Sequence, residues 1–514
     1  PKRDWSSDVC SSDLTRGRLR FRSVADFLAG VTQQFEIAKP GSDFERHYRQ
    51  NLIGTWLQDD IKISDQLMIN AGVRYEFVTT PSERDGKVSN LRHIMDPAVT
   101  VGDPLFQNPT KSQVAPRLGF AWNVGGHGRT AVRGGYGIFY EEPLFYQYRS
   151  PIFRALPYVD RAVIASPRLP ITLSAVASGG VPENELFQFD LDPTYMTQYN
   201  VSAQRELPWN SAVSVAYIGS RGTNLVGSGD VNTAIPQIVN GREFFPAGLA
   251  RRNPNFGTLR MSLQGFHSEY NGFSVSWNKR QTHGLQFQAS YTNGHSMDNR
   301  SGSGGRQEFR NGQARTFDPY NLDLDWGRSD FDIRHNAVVN ASYNLPFTGS
   351  SLVRGWEVSA VGTFASGVPF VPIIPGDSDR DVSTDNVNRP DVVPGVSTVP
   401  AGGRTVEHWY NVDAFAYPGR GFRGNAGRNI LEGPGFATID LSVIKTQALA
   451  GGTSVQLRLE VFNLFNRANF DIPFNDPDGQ AIFDETGNRI PTAGRIFETS
   501  TDAREAQIAV RFVF

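Results

Sequence analysis

The chain has 514 residues, with 50 Lys and Arg against 52 Asp and Glu, a net charge of −2 and a pI near 6.5, a balance that argues against a nucleic-acid partner or a polybasic membrane anchor. Mean hydropathy is −0.36 and no run of eighteen apolar residues occurs, which excludes membrane-spanning helices but not a membrane β-barrel, whose strands dilute the average by facing a wet lumen with every second residue. The 51 Gly, 35 Phe, 16 Tyr and 8 Trp suit a strand-rich wall with aromatic girdles, and the single cysteine, Cys10, leaves neither a disulfide framework nor a thiolate metal site.

Residues 1–14 show no apolar periodicity and no signal-peptide core. They resemble translated adapter sequence at a broken gene end, so they are set aside as non-native, and an amino-terminal part with any export signal is expected to be missing. From residue 15 on, strand signals recur. Residues 54–63 turn at Ser64-Asp65-Gln66 into 67–78, where Leu67, Ile69, Ala71, Val73, Tyr75 and Phe77 alternate with Met68, Asn70, Gly72, Arg74 and Glu76. Leu118, Phe120 and Trp122 alternate next, and Gly125-Gly126-His127-Gly128 leads into 129–140. Further hairpins pair 196–207 with 211–219, 271–280 with 285–292, 333–345 with 354–366, and 437–448 with 453–465. The last strand, 504–514, puts Ala506, Ile508, Val510, Phe512 and Phe514 on one face and Glu505, Gln507 and Arg511 on the other.

Between the hairpins lie long segments near 79–113, 141–195, 220–270, 293–332, 367–436 and 466–503. Short and long connections therefore alternate, as periplasmic turns and extracellular loops do in outer-membrane barrels, and compact soluble domains seldom carry so many loops beyond about 15 residues. A soluble sandwich, solenoid or propeller fits less well. The predicted fold is all-β, an antiparallel transmembrane barrel in the bacterial outer membrane, with long loops outside, lipid against its apolar face and a lumen lined by Asn, Gln, Ser and Thr. Arg74, Glu76, Arg117, Arg133, Glu357, Arg458, Glu460 and Arg511 fall on the predicted lumen face.

Asp377-Ser378-Asp379-Arg380-Asp381, with Asp385 nearby, carries carboxylates at every second residue, as calcium loops do. The EF-hand pattern fails at Val382 and Asn388, and a solvated acidic loop is the favoured reading. His408, Trp409, Tyr410 and the arginines of 420–428 either touch a ligand or decorate a loop, the second being favoured. Gly134-Gly135-Tyr136-Gly137 lies inside a strand, so close backbone approach explains it better than a phosphate cradle. No catalytic set, metal site or cofactor is expected.

The stretches GTWLQDDIKISDQLMINAGVRYEF (54–77), APRLGFAWNVGGHGRTAVRGGYGIFYEE (115–142), QYNVSAQRELPWNSAVSVAYIGSRGTNL (198–225) and SDFDIRHNAVVNASYNLPF (329–347) resemble the barrel of TonB-dependent outer-membrane receptors. FRGNAGRNILEGPGFATIDLSV (422–443) and LRLEVFNLFNRANFDIP (457–473) are similar to the Oar-like branch of that family. The resemblance implies a barrel of about twenty-two strands filled by a plug and energised by the inner-membrane TonB complex, importing a solute. Here only about thirteen to sixteen strands fit, with no plug, TonB-contacting box or preceding β-sandwich, so residues 15–514 read as the carboxy-terminal part of such a barrel. In such receptors, lumen charges commonly meet the plug or one another, and a few line the substrate path. The terminal strand ending at Phe514 resembles the signal read by the barrel-assembly machinery. A passive pore or secretion channel is the alternative, and an outer-membrane enzyme the third reading.

Overall fold

The computed structural model describes residues 17–514 apart from 22–23, 173, 175, 177–180, 303–308, 310, 313–315, 384–386 and 475–479, so residues 1–14 and Asp385 lie outside the described residues. One large sheet dominates. Its path runs through β1 (Leu52–Lys62), β2 (Leu67–Val78), β3 (Val114–Asn123), β4 (Thr130–Glu141), β5 (Thr194–Leu207), β6 (Ser211–Asp230), β7 (Leu259–Thr282), β8 (Leu285–Asp298), β9 (His335–Asn344), β10 (Trp356–Ala365), β11 (Phe436–Ala448), β12 (Ser454–Phe462) and β13 (Glu505–Val513), each antiparallel to the next in sequence. Strict antiparallel order puts every tight connection at one end of the sheet and every long one at the other.

The tight turns have a local cause. Trp209 and Asn210 (φ 61° and 54°), His283 and Gly284 (52° and 81°) and Gly451 and Gly452 (74° and 81°) place consecutive residues in the left-handed region, the conformation that matches the right-handed twist of paired strands. Gly134 shows the close approach expected of it, since a Cβ there would stand 2.3 Å from the Phe120 ring of the neighbouring strand. Two stretches depart from the alternation reading: β8 runs on to Asp298 in continuous register with β7, past the end read at 292, and β6 and β7 lengthen together. Residues 220–230 and 259–270 continue β6 and β7 well into what reads as a long connection, because register shifts at Gly222/Leu225 and Leu225/Gly227 break the period of two while the ladder goes on.

The register carries two faces across the whole sheet. Gly72, on the face of Arg74 and Glu76, pairs with Arg117, which pairs with Gly137 on the face of Arg133. Arg133 pairs with Ser202, and the row continues through Ala216, Ser274, Thr292 and Asn336. Two residues pairing from that face, Asn344 and Glu357, lead through Ile444 to Arg458, while Ser442 pairs with Glu460 and Gln456 with Arg511. All eight predicted lumen charges therefore share one face. The opposite face runs from Ile61 through Ile69, Phe120, Gly134, Val201 and Tyr217, and on through Trp277, Leu285, Tyr343 and Val443 to Leu459 and Ile508. These apolar side chains do not converge on a core: Phe273 is 44% exposed, Trp277 42% and Ile508 74%. Lys445 lies on this face at the tight-turn end, where its Nζ reaches the carbonyls of Ser351 and Arg354. Asp59, Arg205 and Lys279 also lie on this face, each near a tight turn.

The sheet has two edges. Among the described residues β1 pairs only with β2, and β13 only with β12, and both run from the long-connection end to the tight-turn end. None of the described residues of 17–51 pairs with β13. They join the layer beyond the long-connection end, where Gln34–Ala38 pairs with Arg161–Ala165.

A bilayer-facing assignment of the apolar side sets neighbouring positions apart. Val275→Arg, placed mid-strand on the apolar face, should lower stability by about 2–4 kcal/mol, and Ser274→Arg, one residue away on the polar face, by less than about 1 kcal/mol. Urea titration of the folded chain in lipid vesicles measures both, and equal costs would refute the assignment.

Candidate functional site

The buried mass of the molecule lies in the long connections. Phe370, Ile374, Tyr410, Phe415, Leu431, Ile482 and Phe483 form one core, drawn from 366–435 and 463–504. A second joins Leu91, Leu186, Val231 and Phe256 to the outer end of β7, and a third packs Val88, Leu105 and Phe106 against Tyr148, Ile152 and Phe187. Each large apolar side chain sealed this way contributes about 1.5–3 kcal/mol, so these connections make a packed roof rather than independent loops. Backbone polar groups are satisfied across it: Asn253, fully buried, donates to the carbonyls of Ile94 and Asp96 at 2.8 Å.

Buried ion clusters tie the roof together. Arg428 reaches Asp298 at 2.5 Å and Asp330 at 2.7 Å, and Asn429 donates to the same Asp330 oxygen at 2.7 Å. Arg389, fully buried, meets Asp325 and donates to the Leu324 carbonyl at 2.9 Å. Glu185 lies against Arg154 at 2.8 Å and Arg161 and Arg260 at 3.5 Å; burial pushes its carboxyl up, but the three guanidinium groups outweigh that and hold it at about 2. Arg423 bonds Glu243 at 2.7 Å and Asp318, and faces Asp381 at 3.3 Å and Asp379 at 3.6 Å.

The predicted contact residues divide. Asp377, Asp379 and Asp381 come together, with one oxygen of each within 4.8 Å of the others. The loop that carries them is not solvated, because Asp379 and Asp381 are each 2% exposed, covered by Arg423 and by the backbone of 231–258 through the 2.8 Å bond from Ala234 N to the Asp381 carbonyl. Tyr410 is buried, its ring packed against Phe370 and Phe415. Trp409 is half-buried and donates to the Glu432 carbonyl at 2.8 Å, and His408 is exposed. Of the arginines in 420–428, Arg423 and Arg428 are structural clamps, and Arg420 pairs with Glu485 at 3.0 Å. The partners of these clamps, Glu243, Asp298, Asp318 and Asp330, were not singled out from sequence. They lie roughly 100 or more residues away along the chain, too far for any local pattern to register.

Glu142 sits where the roof meets the inner end of the connection after β4. Its carboxyl is buried, and burial together with the nearby Glu76 charge raises it from 4.5 to about 7. The Gln113 amide, turned to donate, offers its nitrogen to both oxygens at 2.5 and 3.1 Å, which partly offsets that burial.

A family model described as outer membrane beta barrel domain matches residues 5–507. No curated protein sequence matches the chain. Among solved structures, the chain is similar to the outer membrane transporter YddB from Escherichia coli, at 10% identity and a TM-score of 0.48 over 90% of this chain and 45% of that one. It is also similar to the pyoverdine outer membrane receptor FpvA from Pseudomonas aeruginosa PAO1, at 12% identity, a TM-score of 0.43 and 91% and 43% coverage. A third is the siderophore receptor PiuA from Acinetobacter baumannii, at 11% identity, a TM-score of 0.42 and 93% and 44% coverage. The chain spans less than half the length of each.

A carboxyl whose pKa is raised by folding stabilises the folded state fully below its unfolded pKa and loses that contribution as pH climbs through the folded value. Stability should therefore fall between pH 4.5 and just above 7, and Glu142→Gln should flatten that part of the profile. Thermal unfolding of both proteins in detergent from pH 4 to 8 reads the difference; parallel profiles would show that Glu142 is not the titrating group.

Proposed function

The chain belongs to the outer membrane beta-barrel domain family, and from that premise we propose that it forms part of the wall and roof of a TonB-dependent transporter that brings a solute across the outer membrane. The Oar-like branch is the finer assignment. The observation that carries the reading is that all eight predicted lumen charges share one face, from Arg74 and Glu76 at one side of the sheet to Arg511 at the other, with a mainly apolar face behind it. A wall of that kind has water on one side and lipid on the other. On this reading Arg74, Glu76, Arg117, Arg133, Glu357, Arg458, Glu460 and Arg511 face the lumen, where some meet a plug and others line the solute's path. Arg74 and Glu76 already pair at 2.5 Å.

The long connections lie outside the cell on this reading, and the packed roof presents the solute-binding surface. Two stretches that carry the family resemblance meet there, Asp330 of 329–347 contacting Arg428 and Asn429 of 422–443, so that part of the resemblance reports how the roof is held. Coupling to the TonB complex would act through a plug.

The complete gene product, expressed in cells with and without an active TonB complex, should accumulate its solute only in the first. Steady TonB-independent flux, with matching conductance in planar bilayers, would support a passive pore instead. Barrel assembly is a separate expectation: deleting Phe512–Phe514 removes the end of the apolar row on β13 and should abolish outer-membrane insertion while export to the periplasm continues. Unchanged surface levels of the truncated protein would show that the terminal strand is not the assembly signal.

A further inference from the structure

We propose that Asp377, Asp379 and Asp381 bind one calcium ion that pins the segment 374–388 into the roof. The segment is a hairpin whose arms, Ile374–Pro375 and Val387–Asn388, are paired. Arg380 and Val382 adopt left-handed backbone conformations (φ 59° and 62°), and the three alternate carboxylates of 377–381 are brought to one place. The 4.8 Å limit on their oxygen separations fits one ion, since two oxygens on opposite sides of calcium, at 2.3–2.6 Å each, stand about 5 Å apart.

A second observation points to a ligand. Asp379 is almost wholly buried, yet its Oδ1 has no hydrogen-bond partner, and its Oδ2 has Arg423 Nε only at 3.6 Å. A buried carboxylate oxygen left unsatisfied is expensive. Arg423 does not satisfy that oxygen, because its guanidinium bonds Glu243 and Asp318 and stands 3.3 Å from Asp381 and 3.6 Å from Asp379. A divalent cation would occupy the open Oδ1.

The ligand set selects the metal. Carboxylate oxygens without His or Cys suit a hard cation, and calcium accepts irregular sets of six to eight oxygens where magnesium demands a near-ideal octahedron. The site is not an EF-hand. Asn388, at the position where that loop carries its bidentate Glu, donates instead to Ser378 Oγ at 3.1 Å and to the Phe422 carbonyl at 3.0 Å, closing the hairpin. Because the Asp381 and Val382 carbonyls accept from Ala234 and Arg251, an ion here would lock 231–258, 374–388 and 417–425 as one body.

Calcium binding of this kind is independent of what the barrel transports, so it is tested without a transport assay. The whole chain, folded in detergent and stripped with chelator, is titrated with calcium chloride by calorimetry, and amide exchange is followed across 374–388. One ion per chain is expected, half-saturating near about 0.1–1 mM, as extracellular calcium sites do, with slower exchange in the hairpin and no replacement by magnesium. Asp379→Asn should weaken binding at least tenfold. Asp377→Asn, at the less buried end of the cluster, should do the same and guards against a misfolded first variant. A folded wild-type chain that takes up no calcium at about 10 mM, or binding unchanged in both variants, would overturn the assignment.

Discussion

Within hydrocarbon no water is available to a backbone N–H or C=O, so a membrane-spanning strand must give all of its backbone groups to its neighbours. That requirement organises the sheet. A ladder that cannot skip a pair cannot lose register, and an unbroken register carries the side-chain alternation of one strand into the next until two opposite faces extend across thirteen strands. Ladder irregularities appear where water can meet unpaired groups: beside the tight turn between Lys279 and Thr282, and beyond Gly222, where β6 and β7 rise toward the roof.

The roof obeys a different rule. Its parts come from connections far apart in the chain, and guanidinium groups hold them. Arg389 lies over the Phe317 ring at 4.5 Å while pairing with Asp325, and Arg423 lies over Phe245 at 4.9 Å while sharing its carboxylates. Removing one partner of such a buried pair strands a charge and costs about 3–5 kcal/mol, although the pair itself adds little against an apolar replacement. What the clamps contribute is specificity of arrangement, since one planar guanidinium spans carboxylates from different segments, as Arg428 does between Asp298 and Asp330 and Arg423 between Glu243 and Asp381.

The strands were legible because alternation is a local signal. The ladder between 285–292 and 336–343, for instance, pairs Leu285 with Tyr343 and Thr292 with Asn336, joining apolar to apolar and polar to polar, as the sequence pattern implies. The outer extensions of β6 and β7 were not legible, because a bulge resets the period. The roof was less legible still. Phe370 and Phe483 meet in one core from segments over a hundred residues apart, and neither segment shows a periodicity to mark it. The same blindness made the Asp377–Asp381 loop read as solvated: its acidity is visible in sequence, but the side chains that cover it belong to other segments.

The direction shared by β1 and β13 limits how the sheet can close. Mark each strand by whether it points toward the roof or away from it; antiparallel neighbours then carry different marks, and a ring can be marked consistently only if its count is even. Thirteen strands in a row begin and end on the same mark. Joined edge to edge, β1 and β13 would make a parallel seam in an otherwise antiparallel wall, with slanted bonds that pair slightly less well per residue. Any wholly antiparallel ring containing this row must therefore hold an odd number of further strands.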